Sequence, residues 1–106
     1  MNHFMLPVWN DQGLATPKYG NIATNRLIDK MISLGSEKKD LVAKVFGGAN
    51  GLVQNSVYEI GKRNITVAYE ILERNHIPIL KSDTGGVRGR KILMNTATNK
   101  ILLKYV

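Results

Sequence analysis

One stretch of the chain, residues 41–51, constrains the fold more than any other because an apolar run stops there abruptly at glycine. Residues 41–46 are apolar except for Lys44 and include two valines and a phenylalanine, which predicts a strand buried on both faces. Gly47 and Gly48 end this strand, since adjacent glycines adopt positive φ and let another backbone or a ligand approach closely. The strand therefore brings a loop poor in side chains to the rim of a sheet. Taken alone, such a glycine pair most often marks a simple turn.

The remaining pattern predicts one α/β domain over residues 1–106. The predicted elements, in chain order, are the end of a strand at 2–7, a loop at 9–18, a helix at 19–34, a strand at 41–46, a helix at 57–74, a strand at 77–80, a glycine-rich turn at 83–90 and a hairpin of 91–95 with 101–106. Both helices carry an apolar stripe at helical spacing, and Ser56 with Glu59 has the spacing of a capping box. Helices and strands that alternate in this way are typical of a mixed α/β layer.

Length and hydropathy exclude several protein classes. A chain of 106 residues is large enough for one hydrophobic core and too short for two. None of its apolar runs approaches the roughly 20 residues that cross a bilayer. Residues 1–9 lack the basic start and the small-residue cleavage site of a signal peptide. We therefore expect a cytoplasmic chain that does not insert into membranes.

The charge of the chain indicates an acidic partner. The formal net charge is +7, and residues 54–106 hold nine basic and four acidic side chains. Nucleic acid and an acidic protein surface are both compatible with this surplus. The basic residues are spaced singly, however, and seven aromatic residues offer little base stacking. We expect no nucleic-acid partner, and a small basic nucleic-acid binder is kept as an alternative.

Cysteine is absent from the sequence, which excludes disulfides, thiolate metal sites and thiol nucleophiles among these residues. We expect neither a metal nor a cofactor. The sequence has two histidines, His3 and His76. Without further context each is more often structural or solvated than catalytic, and His76 follows a predicted helix end in what we interpret as a solvated loop.

Five short motifs carry a resemblance to a known family. In order along the chain they are His3-Phe4-Met5-Leu6-Pro7, Lys18-Tyr19-Gly20-Asn21, Ala43-Lys44-Val45-Phe46-Gly47-Gly48-Ala49, Ile60-Gly61-Lys62-Arg63-Asn64 and Asp83-Thr84-Gly85-Gly86-Val87-Arg88-Gly89-Arg90-Lys91. Each motif alone would be weak evidence, but five in one order are specific. From residue 3 to its end the sequence resembles the chemoreceptor glutamine deamidases of the CheD family.

This resemblance implies a fold and a reaction. The implied fold is a CheD-like mixed α/β sandwich with two main helices packed on a mixed β-sheet. The implied reaction hydrolyses glutamine side-chain amides on methyl-accepting chemotaxis receptors to glutamate and ammonia. A cysteine thiolate attacks the amide and a histidine serves as acid and base. Some relatives also bind the phosphatase CheC.

The resemblance also assigns residues of this sequence to the site. His3 matches the catalytic histidine, and Phe46, Gly47, Gly48 and Ala49 would line the groove that receives the receptor. For Phe46 a place in the core stays open as an alternative. The turn at 83–90 would flank the same groove, with its arginines facing acidic receptor segments or simply solvated. Arg63 and Asn64 we interpret as structural residues at a helix start.

The sequence departs from the family pattern at the nucleophile. In the family the catalytic cysteine lies upstream of the histidine motif, in strands that these residues do not contain. We therefore expect a domain without its N-terminal strands that is inactive alone, and exposed strand edges that favour self-association. Three explanations stay open: a start placed too late in the reading frame, a degraded copy, or a catalytically inactive module that binds receptors or CheC.

Overall fold

The computed structural model describes residues 1–51 and 59–106, and within them two α-helices are combined with four strands. The elements are α1 (Gly20–Ser33), β1 (Ala43–Gly47), α2 (Ile60–Arg74), β2 (Ile79–Thr84), β3 (Arg90–Met94) and β4 (Ile101–Tyr105), with one 3₁₀ turn at Lys38–Asp40 before β1. The predicted capping box is wrong for Glu59, which is the N-cap residue of α2 and not its third residue, while Ser56 lies outside the described residues. Both predicted helices and the predicted hairpin are confirmed, with residues 57 and 58 of the second predicted helix also outside the described residues.

The core lies where the two helices meet β1. Its buried members are Ile28, Val67, Ile71, Leu72 and Ile77, with Leu41, Ala43 and Val45 packed against them. The apolar stripes of α1 and α2 supply four of the five buried members, as the helical periodicity predicts. Burying one such aliphatic side chain contributes roughly 1.5–3 kcal/mol. The core therefore holds the two helices together and fixes β1 against α2.

The four strands form two separate two-stranded sheets. Strands β1 and β2 are parallel, with Phe46 opposite Asp83 and Gly47 opposite Thr84. Strands β3 and β4 are antiparallel, with Lys91 opposite Lys104. The α/β class is thus confirmed, with the parallel pair of strands in one small sheet and the antiparallel pair in the other.

Three local predictions need correction. Strand β1 is not buried on both faces, because Ala43 and Val45 pack against the core on one side whereas Lys44, on the other side, is exposed to solvent. Strand β2 continues through Asp83 and Thr84, which were predicted to begin a turn, because both pair with the end of β1. The predicted strand at 2–7 is reduced to one bridge between Leu6 and Tyr19.

No helix within residues 1–51 and 59–106 is long and apolar enough to cross a membrane.

Candidate functional site

The segment that carries His3 is docked along the start of α1. Backbone N–H groups of Met5 and Leu6 donate to the Lys18 carbonyl at 2.8 and 2.9 Å, and Gly20 N–H donates to the Leu6 carbonyl at 2.7 Å. These bonds satisfy one of the free N–H groups at the helix start. They also fix the backbone of the segment two residues after His3.

Side chains of the second motif hold the same segment. The Phe4 ring lies so close to Gly20 that a Cβ on Gly20 would be 2.7 Å from the ring, so only glycine fits there. The Asn21 side-chain carbonyl accepts a hydrogen bond of 3.0 Å from Trp9 N–H. The Lys-Tyr-Gly-Asn motif is therefore the docking site of the N-terminal segment.

The start of α2 touches both the N-terminal segment and the first glycine-rich loop. Asn64 Nδ2 donates to the Met5 carbonyl at 3.1 Å. One turn earlier, Gly61 packs so tightly on the carbonyls of Gly48 and Ala49 that a Cβ could not be accommodated. One helix start thus fixes the histidine segment relative to the loop.

The first glycine-rich loop has the conformation that its glycines predict. Gly47 and Gly48 have φ of +108° and +71°, values that L side chains rarely adopt. Gly48 also lies directly against the Ile65 side chain. Phe46 and Ala49, on either side of the pair, are half-buried.

The second glycine-rich loop is joined to the first by backbone hydrogen bonds. Gly85 N–H donates to the Gly47 carbonyl at 2.8 Å, and Asn50 N–H donates to the Gly86 carbonyl at 3.0 Å. The two loops, residues 47–51 and 85–86, are therefore held side by side. Their proximity agrees with the expectation that the turn at 83–90 lies beside the first loop.

An ion pair braces the second loop. Arg90 donates from Nε and Nη2 to Asp83 Oδ1 at 3.0 and 2.7 Å, and from Nη1 to the Gly85 carbonyl at 2.8 Å. The Tyr105 hydroxyl donates to Asp83 Oδ2 at 2.5 Å. Two guanidinium nitrogens therefore share Oδ1 while Tyr105 occupies Oδ2, and charge-assisted hydrogen bonds of this kind are the strong ones. The possibility that both arginines face a partner is wrong for Arg90, whose side chain is 6% exposed, while Arg88 is exposed.

The pKa values of this group shift in opposite directions. Hydrogen bonds from Tyr105 and Arg90 stabilise the carboxylate and lower the pKa of Asp83. The same carboxylate raises the pKa of the Tyr105 hydroxyl, because it accepts that proton in a hydrogen bond. We call the Arg90–Asp83–Tyr105 group the Asp83 brace. It is strongest at pH values above the folded pKa of Asp83 and below the folded pKa of Tyr105.

Both histidines are exposed, and neither imidazole takes part in the hydrogen bonds found among the described residues. For His76 this confirms a solvated loop. For His3 it leaves an exposed imidazole on a segment whose backbone is fixed at Met5. The described residues contain no group of histidine, aspartate and glutamate side chains placed to hold a metal ion.

An open depression of about 240 Å³ lies between the end of the N-terminal segment and the first turns of α2. Pro7 and Val8 line it from the N-terminal segment, and Lys62 and Arg63 line it from α2 together with Glu59, which pairs with Lys62 at 3.9 Å. Its apolar floor includes Val67. The depression therefore lies beside Pro7 and Val8, at the end of the N-terminal segment away from His3 in the sequence.

Two asparagines and a tyrosine have roles that the motif analysis did not assign. Asn21 and Asn64 each end a motif at a helix start, and both bind the N-terminal segment. The sequence signal for this shared role was that both motifs end in an asparagine. Tyr105 carried none, because its contact with Asp83 spans 22 residues.

Fold and site together define a small α/β domain in which an imidazole-bearing segment and a pair of glycine-rich loops are assembled around one helix start. A family model described as CheD chemotactic sensory transduction matches residues 5–105. The chain belongs to the CheD family.

Similar proteins carry the same family name. Probable chemoreceptor glutamine deamidases CheD from Sulfurimonas denitrificans and Trichlorobacter lovleyi are 49% and 55% identical to this chain over 109 and 104 residues. These alignments cover 100% and 97% of this chain but 69% and 65% of the relatives. The relative from Rhodospirillum rubrum is 42% identical, and 60% of its length is covered. The chain thus spans about two thirds or less of the proteins it matches.

Proposed function

We propose that this chain supplies the histidine and the substrate-binding loops of a chemoreceptor glutamine deamidase. In this proposal the protein acts in the cytoplasm on methyl-accepting chemotaxis receptors and converts glutamine side chains to glutamate with release of ammonia. The names of its relatives support the reaction and the class of substrate. The five motifs, now placed in one structure, support the assignment of residues.

One observation carries the proposal. The start of α2 binds the histidine segment through Asn64 and the glycine-rich loop through Gly61. Catalysis on a protein side chain needs a fixed relation between the group that moves protons and the surface that seats the substrate. A shared helix start provides such a relation.

The residues divide the work as follows. Phe46, Gly47, Gly48 and Ala49 seat the receptor segment, and the glycines let its backbone approach. A thiolate attacks the carboxamide carbon, and the imidazole of His3 protonates the departing ammonia. The same imidazole then takes a proton from the water that opens the thioester. Because the 106 residues contain no cysteine, the proposal takes the thiolate from outside them.

Ammonia release from a purified receptor cytoplasmic fragment tests the reaction. The protein that carries these residues is compared as wild type, His3→Asn and His76→Asn, which changes the other exposed histidine in the same way. Loss of the general acid and base reduces the rate by about 100-fold or more, so we expect His3→Asn to be nearly inactive and His76→Asn to keep wild-type activity. Equal rates for the two variants would reject His3 as the catalytic residue.

A binding module without catalysis is the second candidate, and the absence of cysteine from these residues favours it. Titration of labelled protein with the receptor fragment, and separately with CheC, measures this function. Saturable binding with no ammonia release from wild type or either histidine variant would support the module. Ammonia release that depends on His3 would reject it as the whole function.

A further inference from the structure

The outward side of the β3–β4 hairpin combines cationic and apolar groups in the described structure. Lys91 lies opposite Lys104, and Leu93 lies opposite Leu102. Both lysines are exposed, and the leucines are 65% and 57% exposed. Because side chains two residues apart share one side of a strand, these four residues form one surface, which we call the hairpin face.

The charge of this region is entirely of one sign. Residues 87–106 contain five basic side chains and no acidic one. Arg90 is neutralised by Asp83. Each of the other four, Arg88, Lys91, Lys100 and Lys104, is exposed and forms no ion pair with the described part of the chain. The hairpin therefore carries a concentrated positive field.

The pairing of Lys91 with Lys104 works against the stability of the hairpin. Like charges directly opposite each other on antiparallel strands destabilise the pair. No carboxylate on either strand offsets this repulsion, because neither strand contains one. A carboxylate supplied by a partner would offset it.

An open depression adjoins the leucine end of the hairpin face. Its volume is about 340 Å³, and it is lined by Leu93, Met94, Asn95, Lys100 and Leu102. Leu93, Met94 and Leu102 give it a mostly apolar lining that suits an aliphatic side chain, and Lys100 is also among its lining residues. A sugar-phosphate backbone offers no such apolar group, and a depression of this kind suits one protruding side chain better than the broad surface of a bilayer.

We propose that the hairpin face is a docking surface for an acidic protein segment. The segment packs an apolar side chain onto the Leu93–Leu102 pair and places carboxylates against Lys91 and Lys104. These two contacts lie two strand residues apart, about 7 Å. The inference does not use the proposed deamidation, and it concerns a surface that this function leaves unassigned.

Fluorescence anisotropy with two synthetic peptides tests the proposal. The first probe is a labelled 16-residue peptide of alternating glutamate and leucine, and the second has glutamine in place of every glutamate. The protein is wild type, Lys104→Glu, or Lys38→Glu as a control for the same change in net charge at an exposed lysine on the 3₁₀ turn. We expect the acidic probe to bind wild type and the neutral probe to bind at least about fivefold more weakly.

The two variants separate docking from general electrostatics and from folding. Lys104→Glu should weaken binding of the acidic probe about tenfold and should raise the thermal midpoint, because it replaces a like-charge pair by an opposite pair. Lys38→Glu should change binding by less than about twofold. Leu93→Ser should weaken binding with little change in salt dependence.

Each contrary result would overturn the proposal. Equal weakening by Lys104→Glu and Lys38→Glu would mean attraction by net charge alone. Tighter binding of phosphatidylglycerol vesicles or of a DNA duplex than of the acidic peptide would assign the face to a membrane or to nucleic acid. Concentration-dependent dimerisation abolished by Leu93→Ser would assign it to a second copy of the chain.

Discussion

At residue scale, Gly48 is the position where a side chain is excluded for two separate reasons. Its φ is +71°, and a Cβ there would collide with the Ile65 side chain and lie 2.9 Å from the Gly61 carbonyl. Gly51 has a similar φ of +66° but nothing within 4 Å of its Cβ position. Gly51 is therefore a control that separates the cost of backbone strain from the cost of the steric clash at Gly48.

We predict that Gly48→Ala destabilises the protein by at least about 3 kcal/mol, since overpacking against α2 adds to the strain of the left-handed backbone. Gly51→Ala should cost only about 1–2 kcal/mol. Urea unfolding followed by circular dichroism measures both. Similar losses for the two variants would show that the contact between loop and helix contributes nothing beyond backbone conformation.

Asp83 gives a second prediction at this scale, through pH. Because the folded pKa of Asp83 lies below its ordinary value, the carboxylate stabilises the fold above the ordinary aspartate pKa of about 3.9. That contribution is lost as the pH falls through the folded pKa. Because the pKa of Tyr105 is raised, its contribution is present below about pH 10 and is lost as the pH rises through its folded pKa.

We therefore expect Asp83→Asn to lower stability at pH 7 and to reduce its dependence on pH at both ends of the range. Unfolding by urea at pH 3, 7 and 10.5 measures the difference from wild type. Asp29→Asn, at an exposed position of α1, is the matched control and should retain the wild-type dependence. A wild-type profile in Asp83→Asn would show that the brace does not act through this carboxylate.

At the scale of elements, α2 acts as the common support of the site, and Asn64 is its link to the histidine segment. Asn64→Ala removes a hydrogen bond worth about 1 kcal/mol and should release that segment from α2. The sensitive observables are the amides of Leu6 and Gly20, which bond to Lys18 and Leu6. We predict faster hydrogen exchange at both amides in this variant.

Asn75→Ala is the control, because Asn75 donates an equivalent side-chain hydrogen bond of 2.7 Å to Ile71 at the opposite end of α2. It should lower global stability to a similar extent without selective loss of protection at Leu6 and Gly20. If both variants speed exchange at those amides equally, Asn64 does not tether the segment.

The helices could be predicted from the sequence and the division of the sheet could not. Periodicity is a local signal, so the stripe from Ala23 to Ile28 and the stripe from Val67 to Leu72 both located their helices. The extent of β2 depends on its pairing with β1 across more than 30 residues, and local propensity does not encode such a partner.

The site divides in the same way. The positive φ of Gly47 and Gly48 followed from residue type alone. The burial of Arg90 against Asp83 did not, because it depends on where β3 returns beside the end of β2. Whether His3 is catalytic stays a prediction, since its exposed imidazole makes no hydrogen bond or ion pair within the described residues that would assign a role.

At the scale of the whole molecule, the two sheets differ in their connection to the core. Within residues 1–51 and 59–106, all buried apolar core residues belong to α1, α2 or Ile77, and none comes from β3 or β4. The hairpin is held to the rest by the Asp83 brace and by a hydrogen bond of 2.9 Å from Lys44 Nζ to the Asn99 carbonyl.

These features predict that the hairpin opens independently of the α1–α2–β1–β2 unit. Two-stranded ribbons are marginally stable alone, so amides of β3 and β4 should exchange with opening free energies at least about 1.4 kcal/mol below those of α2, a tenfold difference in protection. Asp83→Asn should widen this gap by speeding exchange in the hairpin while leaving the centre of α2 less affected. Native-state hydrogen exchange followed by NMR resolves both sets of amides in one experiment. Equal opening free energies in the hairpin and in α2 would mean that the two sheets unfold as one cooperative unit. The Asp83 brace would then be one contact within a single cooperative structure and not the link between two parts that open separately.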